Sequence, residues 1–324
     1  MDLLTNYSDA ITNRLEEVVA FKEPAQLYEP VKYILTLGGK RLRPVLTLMT
    51  ADFFGDDYMN AMNAALAVEL FHNFSLIHDD IMDNAPLRRG KETVHEKWNL
   101  NTGILSGDVM LILAYQMFEG YNPSLFKELA ELFSKTAVEV CEGQQYDVDF
   151  ETRDDVTISE YIKMIDYKTA VLVGAAMKIG AIVAGASRSC KENIYEIGRN
   201  LGIAFQLQDD YLDAFGDPKT FGKQVGGDII SNKKTFLYLT ALEKASVEDN
   251  ATLRDLFSVN IEDSTGKIET IRAIFENSGA RKAAVLEIER YTAKANSVLE
   301  QINLSEEQKT NFRSFGEYLM NRTV

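Results

Sequence analysis

Two aspartate groups of identical spacing, Asp79-Asp80-Ile81-Met82-Asp83 and Asp209-Asp210-Tyr211-Leu212-Asp213, concentrate carboxylates at two points of the chain. On a helix the outer aspartates of each group, four residues apart, share one face, and the middle one lies about 100° round. Like charges so placed repel and cost an isolated helix about a few tenths of a kcal/mol. A solvated acidic face is the plain alternative, but each group closes a strongly apolar run rather than a polar one. Such carboxylates suit Mg²⁺, which takes hard oxygen ligands and leaves room for water and phosphate oxygens. The sequence has no loop of EF-hand form that would argue for Ca²⁺ instead. The expectation is that the two groups face each other across a cavity and hold magnesium ions that bind a diphosphate.

Cations follow each group. Arg88-Arg89-Gly90 comes after the first, and Lys223, Lys233 and Lys234 come after the second. Gly38-Gly39-Lys40-Arg41-Leu42-Arg43-Pro44 adds a basic turn whose glycines let backbone approach an anion. A lone pair of basic residues is ordinary solvated surface. Beside the aspartates, these cations point to two diphosphate sites, one gripped through metal and one through Arg and Lys directly.

The elements that must carry these residues are helices. From Met62 to Asp83 apolar residues recur at Leu66, Leu70, Phe71, Phe74, Ile77 and Ile81, three and four apart. From Tyr195 to Phe215 the set Ile197, Leu201, Ala204, Phe205, Gln208 and Leu212 repeats the pattern, with Gly216-Asp217-Pro218 as the stop. The six prolines, Pro24, Pro30, Pro44, Pro86, Pro123 and Pro218, are expected at segment ends, and the long gaps between them at long helices. Sustained period-two strands are not evident. The fold class is therefore all-α, a bundle of long helices around a deep central cavity. No repeat, low-complexity tract or linker divides residues 1–324, which are expected to form one domain. The C-terminal third reads as amphipathic helices broken near Gly266 and Gly279.

Composition removes several other functions. A formal charge of −15 over 324 residues argues against nucleic acid, whose phosphates require a surplus of Lys and Arg. Cys141 and Cys190 stand in no paired or metal-ligand spacing, and three scattered histidines make a zinc site improbable on spacing. The first residues carry acids where an export signal needs a basic flank, so a reducing cytoplasm fits. Ala170 to Ala186 is nearly apolar, but Lys178 at its centre and its Gly and Ala content read as a helix packed inside protein rather than in a membrane.

The chain resembles the trans-prenyltransferases, or polyprenyl diphosphate synthases, over nearly its whole length. The resemblance is carried by GGKRLRP at 38–44, HDDIMDNAPLRRG at 78–90, Lys168-Thr169, FQLQDDYLDAFGDPKTFGK at 205–223, Gly227-Asp228 and Lys233-Lys234-Thr235. It implies Mg²⁺, three ions per site with Mn²⁺ able to substitute, held by Asp79, Asp83 and Asp209. Asp80, Asp210 and Asp213 would act through water or by orienting the direct ligands. It implies that an allylic diphosphate (dimethylallyl, geranyl or farnesyl) ionises there, with Arg88, Lys168, Lys223 and Lys233 on the leaving group. Isopentenyl diphosphate is expected at Lys40, Arg43, His72 and Arg89. Thr169 and Gln206 resemble the dipolar groups beside the carbocation, and a homodimer is the family expectation. Gln144 and Asp147 match a further family block and read as polar cavity lining.

His72, read alone, could be a satisfied core histidine. It lies two turns before Asp79 on nearly the same azimuth, so it can point into the same cavity. Phe74 and Ser75 lie on the same helix, and Phe71 about 12 Å below Asp79 at 1.5 Å per residue. As core residues they need no explanation. If they line the cavity, the two phenyl rings limit the product to C15–C20, leaning to geranylgeranyl diphosphate. A terpene cyclase would carry an Asn/Ser/Glu metal motif in place of Asp209–Asp213, and a silent partner subunit of a heteromeric synthase would lose aspartates.

Overall fold

The computed structural model describes residues 2–18, 22–217, 225–259 and 265–320. The chain forms two compact units, Met1–Lys135 with Ala175–Ile194, and Thr136–Gly174 with Tyr195–Val324. Both are helical, as the apolar periodicity requires. The extended structure among the described residues is one hairpin of two-residue strands, β1 (Leu87–Arg88) and β2 (Lys91–Glu92).

The first unit is built on α4 (Met62–Met82), preceded by α1 (Asp2–Val18), α2 (Ala25–Thr36) and α3 (Leu42–Phe53). The short α5 (Val94–Lys97), α6 (Leu100–Gln116) and the first part of α7 (Pro123–Thr152) follow. α4 packs along α6 and against α3, so Leu66, Val68, Leu70, Phe71 and Ile77 are buried on several sides. A helix apolar all round belongs in a core. Its end is fixed by a Schellman motif: Asn84 takes a left-handed φ of 48°, Ala85 N–H bonds Asp80 O at 2.9 Å, and Asn84 N–H bonds Ile81 O at 3.3 Å. The first aspartate group therefore sits at a rigid helix terminus.

The second unit takes the rest of α7, then α8 (Ile158–Ile165), a π-turn over Asp166–Ala170, and the start of α9 (Val171–Val183). Most of α10 (Arg188–Phe215) and the C-terminal helices from Gly227 to Met320 complete it. A capping box between Thr157 and Glu160 starts α8. The core joins Tyr161, Ile203, Leu207, Phe236, Leu253 and Phe275. α10 ends at Phe215, where Gly216 N–H still reaches Leu212 O at 2.8 Å, so the second aspartate group also closes a helix.

One proline departs from expectation. Pro30 lies inside α2, buried, rather than at a segment end. It falls in the middle of the helix, where the missing N–H removes one bond to the preceding turn and the buried ring fills core space. The apolar stretch from Ala170 is a buried core helix, and Lys178 is tied to Glu192 at 2.8 Å. Among the described residues no helix is long and apolar enough to cross a membrane.

Candidate active site

Both aspartate groups lie in the last turns of their helices, the negative end of the macrodipole. Each exposed carboxylate there costs about 0.3–1 kcal/mol relative to a neutral residue. Nothing in helix stability favours this arrangement, and a bound cation relieves it.

In the first unit Asp80 is buried and clasped by Arg88, whose Nε and Nη2 donate at 2.7 and 2.6 Å to its two oxygens. The hairpin makes this possible. Arg89 and Gly90 at its tip both have positive φ, 53° and 73°, the requirement of a two-residue primed turn. Arg89 folds onto the glycine turn and donates to Gly38 O. Gly39 holds φ at 125°, and a Cβ on it would lie 2.7 Å from the Arg89 guanidinium carbon. Only glycine permits both the backbone and the close approach.

The next turn of the basic loop is anchored from beneath. Arg41, at φ 48° and buried, donates to Glu69 and to Leu35 O, and Asn73 Nδ2 donates to Glu69 Oε1 at 2.9 Å. This buried Arg–Glu pair sets the start of α3, so that Arg43 reaches His72 Nε2 at 3.2 Å. A guanidinium has no acceptor, so Nε2 accepts and the ring is neutral. Burial pushes the His72 pKa well below the ordinary value, and Arg43 and Arg89 push it further. Lys40 is exposed on the same loop. Lys40, Arg43, His72 and Arg89 thus belong to one strongly cationic face of the first unit, able to take an anion.

One turn toward α4's apolar end, Ser75 bonds its own helix at His72 O. Phe74 is half-buried against His78, with ring centroids 4.8 Å apart. Phe71 is fully buried between Phe74 (5.5 Å) and Phe133 (5.2 Å), with Phe118 and Tyr115 on the far side of Phe133. Phe71 is the base of an aromatic cluster, and Phe74 is its outer member.

In the second unit the π-turn carries Lys168 and Thr169, and π-turns inside helices are rare and cluster at functional positions. Glycines on both neighbours admit it. A Cβ at Gly143 of α7 would overlap the Lys168 backbone, and one at Gly202 of α10 would lie 2.6 Å from Ala170 Cα. Lys168 Nζ reaches Asp147 Oδ2 at 2.6 Å, and Lys233 Nζ reaches the same oxygen at 3.5 Å. Burial would raise the Asp147 pKa, but the two ammonium groups together outweigh it and hold the carboxyl below its usual range. Asp147 is therefore the residue that gathers two cations from distant segments, a role that cavity lining does not describe. Lys234, by contrast, is spent on the end of α7, donating to Phe150 O at 2.8 Å and to Arg153 O. Lys223 lies outside the described residues.

Thr169 Oγ1 donates to Gln206 Oε1 at 3.1 Å, Gln206 Nε2 donates to Asp210 Oδ1 at 3.0 Å, and Tyr161 OH donates to Asp210 Oδ2. Asp210 is buried. Burial pushes its carboxyl well above the usual range and Asp228 adds to it, opposed by the hydrogen bonds from Tyr161 and Gln206. Asp213 accepts from Asp228 N–H at 2.9 Å and so ties the returning chain to the end of α10. Gln144 is buried, and neither of its amide atoms is hydrogen-bonded among the described residues.

The donor set fits magnesium. Among the described residues no three His, Cys, Asp or Glu side chains converge as a ready-made cage. Mg²⁺ in phosphate-binding sites uses one or two carboxylates and fills its octahedron with water and phosphate oxygens. Asp79 and Asp83 of the first unit, and Asp209 of the second, are carboxylates of that kind, and Asp80, Asp210 and Asp213 have the protein partners described above.

Known proteins match this sequence and this helical architecture. The sequence model of the polyprenyl synthetase family matches residues 24–275. A short chain isoprenyl diphosphate synthase of Methanothermobacter thermautotrophicus is 38% identical over 310 residues, 94% of each chain. A geranylgeranyl diphosphate synthase of Methanosarcina mazei is 41% identical over 246 residues, 75% of this chain and 76% of that one. A crystal structure of a geranylgeranyl pyrophosphate synthase superposes with a TM-score of 0.95 at 54% identity, covering 99% of each chain. The protein is an all-helical prenyl-transferring enzyme, and the chain belongs to the polyprenyl synthetase family. Members of that family are Mg²⁺-dependent trans-prenyltransferases that use isopentenyl diphosphate and allylic diphosphates.

Proposed function

We propose that this chain is a geranylgeranyl diphosphate synthase, adding isopentenyl diphosphate to dimethylallyl, geranyl or farnesyl diphosphate. The observation that carries this reading is the pairing, on α4, of aspartates suited to Mg²⁺ with the cationic face of Arg43, His72 and Arg89. An enzyme that only ionised one diphosphate, such as a cyclase, would need the first and not the second.

Asp79, Asp83 and Asp209 would hold Mg²⁺, three ions per site with Mn²⁺ as a substitute, and the bound metal would supply positive charge to stabilise the departing diphosphate. Lys168, Lys233, Lys223 and Arg88 neutralise that leaving group. Asp147 holds the first two lysines in place until the substrate arrives, and Asp80 does the same for Arg88. Isopentenyl diphosphate binds Lys40, Arg43, His72 and Arg89. The oxygens of Thr169 and Gln206 stabilise the allylic cation without trapping it, because neither is a nucleophile under these conditions. The released diphosphate removes the final proton. Phe74, backed by Phe71, closes the space for the growing tail beside Ser75, which supports a C20 product.

Homodimerisation is supported by the apolar side chains that α6 leaves open, Leu100, Ile104, Leu105 and Ile112, each at least 40% exposed. The proposed compartment is the cytoplasm, and the single catalytic domain is residues 1–324.

The decisive assay is diphosphate release by the purified chain with Mg²⁺, followed by mass analysis of the product from each primer. Release that depends on isopentenyl diphosphate and a C20 product are expected. Release without isopentenyl diphosphate would indicate a cyclase, no release a silent subunit, and products of C25 or longer would reject the chain-length assignment.

Gly39→Ala probes the isopentenyl site alone. A side chain at φ 125° strains the turn and displaces Arg89, so KM for isopentenyl diphosphate should rise about tenfold. KM for the allylic substrate should stay within about twofold. Equal changes in both constants would mean that Arg89 does not serve one substrate.

A further inference from the structure

Gln206 has two nearly isosteric ends, an oxygen and an NH₂ group, and only the oxygen end stabilises a cation. Something must decide which end is presented. Within the second unit the hydrogen-bond directions are set one after another. Tyr161, buried on α8, directs its hydroxyl to Asp210 Oδ2. That leaves Oδ1 as an acceptor at 3.0 Å for Gln206 Nε2, which fixes the NH₂ end toward Asp210. The Gln206 oxygen then faces Thr169, whose hydroxyl hydrogen is committed to it at 3.1 Å. Three hydrogens are thereby assigned, one each from Tyr161, Gln206 and Thr169, and lone pairs are left on Gln206 Oε1 and Thr169 Oγ1. The capping box at Thr157 and Glu160 and the π-turn at Asp166–Ala170 hold Tyr161 and Thr169 on one continuous helical segment.

We propose that Tyr161 is a positioning residue for prenyl transfer: through Asp210 it fixes the Gln206 amide so that its oxygen, not its NH₂ group, faces the allylic cation. The inference rests on the proposed roles of Thr169 and Gln206. In the step concerned the allylic C–O bond breaks, the diphosphate leaves with the electron pair, and the carbon bears the positive charge that these oxygens meet. Without the Tyr161 hydroxyl, Asp210 loses one of two donors and can turn, and the Gln206 amide is free to reverse and set its donors against that charge.

The test compares Tyr161→Phe with the wild-type enzyme. Two inhibitors are titrated: an allylic diphosphate analogue with an ammonium nitrogen at the cationic carbon, and a neutral one with sulfur at the bridging oxygen. Tyr161→Phe should lower kcat and weaken the ammonium analogue about tenfold each, the scale of one hydrogen bond to a charged group. Both KM values and the affinity of the sulfur analogue should change by less than about twofold. Gln206→Leu should lose the same preference, and adding Tyr161→Phe to it should cost nothing further, because the two act in series. The inference is overturned if Tyr161→Phe keeps the ammonium preference, if both analogues weaken equally, or if the two substitutions are additive. A wild-type enzyme that shows no ammonium preference would instead defeat the assigned roles of Thr169 and Gln206.

Discussion

Asp209→Asn should lower isopentenyl-dependent diphosphate release by more than about 100-fold, the upper range for losing a residue that merely supports a metal ligand. The same substitution should leave the melting temperature of the metal-free protein unchanged or higher. The two effects have opposite signs for one reason. Asp209 stands nearly two turns before the end of α10, beside Asp210 and four residues before Asp213, where the neighbouring carboxylates disfavour its charge. Asparagine keeps the shape and removes the charge, so the fold gains about a few tenths of a kcal/mol while the site loses a ligand. Wild-type protein should gain thermal stability when Mg²⁺ and inorganic diphosphate are added together, since a ligand of the native state stabilises it by mass action, and the variant should gain much less. Activity within tenfold of wild type would remove Asp209 from the metal site. A variant that melts well below wild type would show the carboxylate to be structural.

Phe74→Ala should shift the main product from farnesyl and isopentenyl diphosphates to C25 or longer, read by mass. Phe74 is the half-buried member of the aromatic cluster, so its loss opens space at moderate cost. Phe71 is different. It is fully buried against Phe133, and truncating a core phenylalanine to alanine costs about 3–5 kcal/mol, a large part of the stability of an ordinary domain. A Phe71→Ala enzyme that aggregates would be uninformative about product length. Phe71→Leu, which keeps most of the volume, should add a smaller increase when combined with Phe74→Ala. An unchanged C20 product in Phe74→Ala would show that the tail does not meet this side chain.

Several positions that matter here could be read from residue order because their physics is local. The apolar period of Met62–Asp83, closed by Asn84 and Pro86, predicts both α4 and its end, and the Schellman geometry at Asn84 accounts for the stop. The second aspartate group closes α10 for the same reason of period and terminal glycine. Pro30 lies mid-helix against the expectation of a segment end, because one lost bond is offset by burial of its ring, which has no local signature. The primed turn at Arg89-Gly90 has no periodic signature because its strands are two residues long, and the glycine after the arginine pair is its one local signal.

Residue types and spacing identify the chemistry: carboxylates four apart at the ends of apolar helices, cations beside them, and no nucleophile. Such features depend on helical period and charge, which act over a few residues. The partners of those residues came only from the folded chain. That Asp147 gathers Lys168 and Lys233, that Arg88 is held by Asp80, and that Tyr161 reaches Asp210 are pairings across 8 to 86 positions. They depend on how helices pack, on close approaches at Gly143 and Gly202, and on a π-turn, none of which has a local pattern.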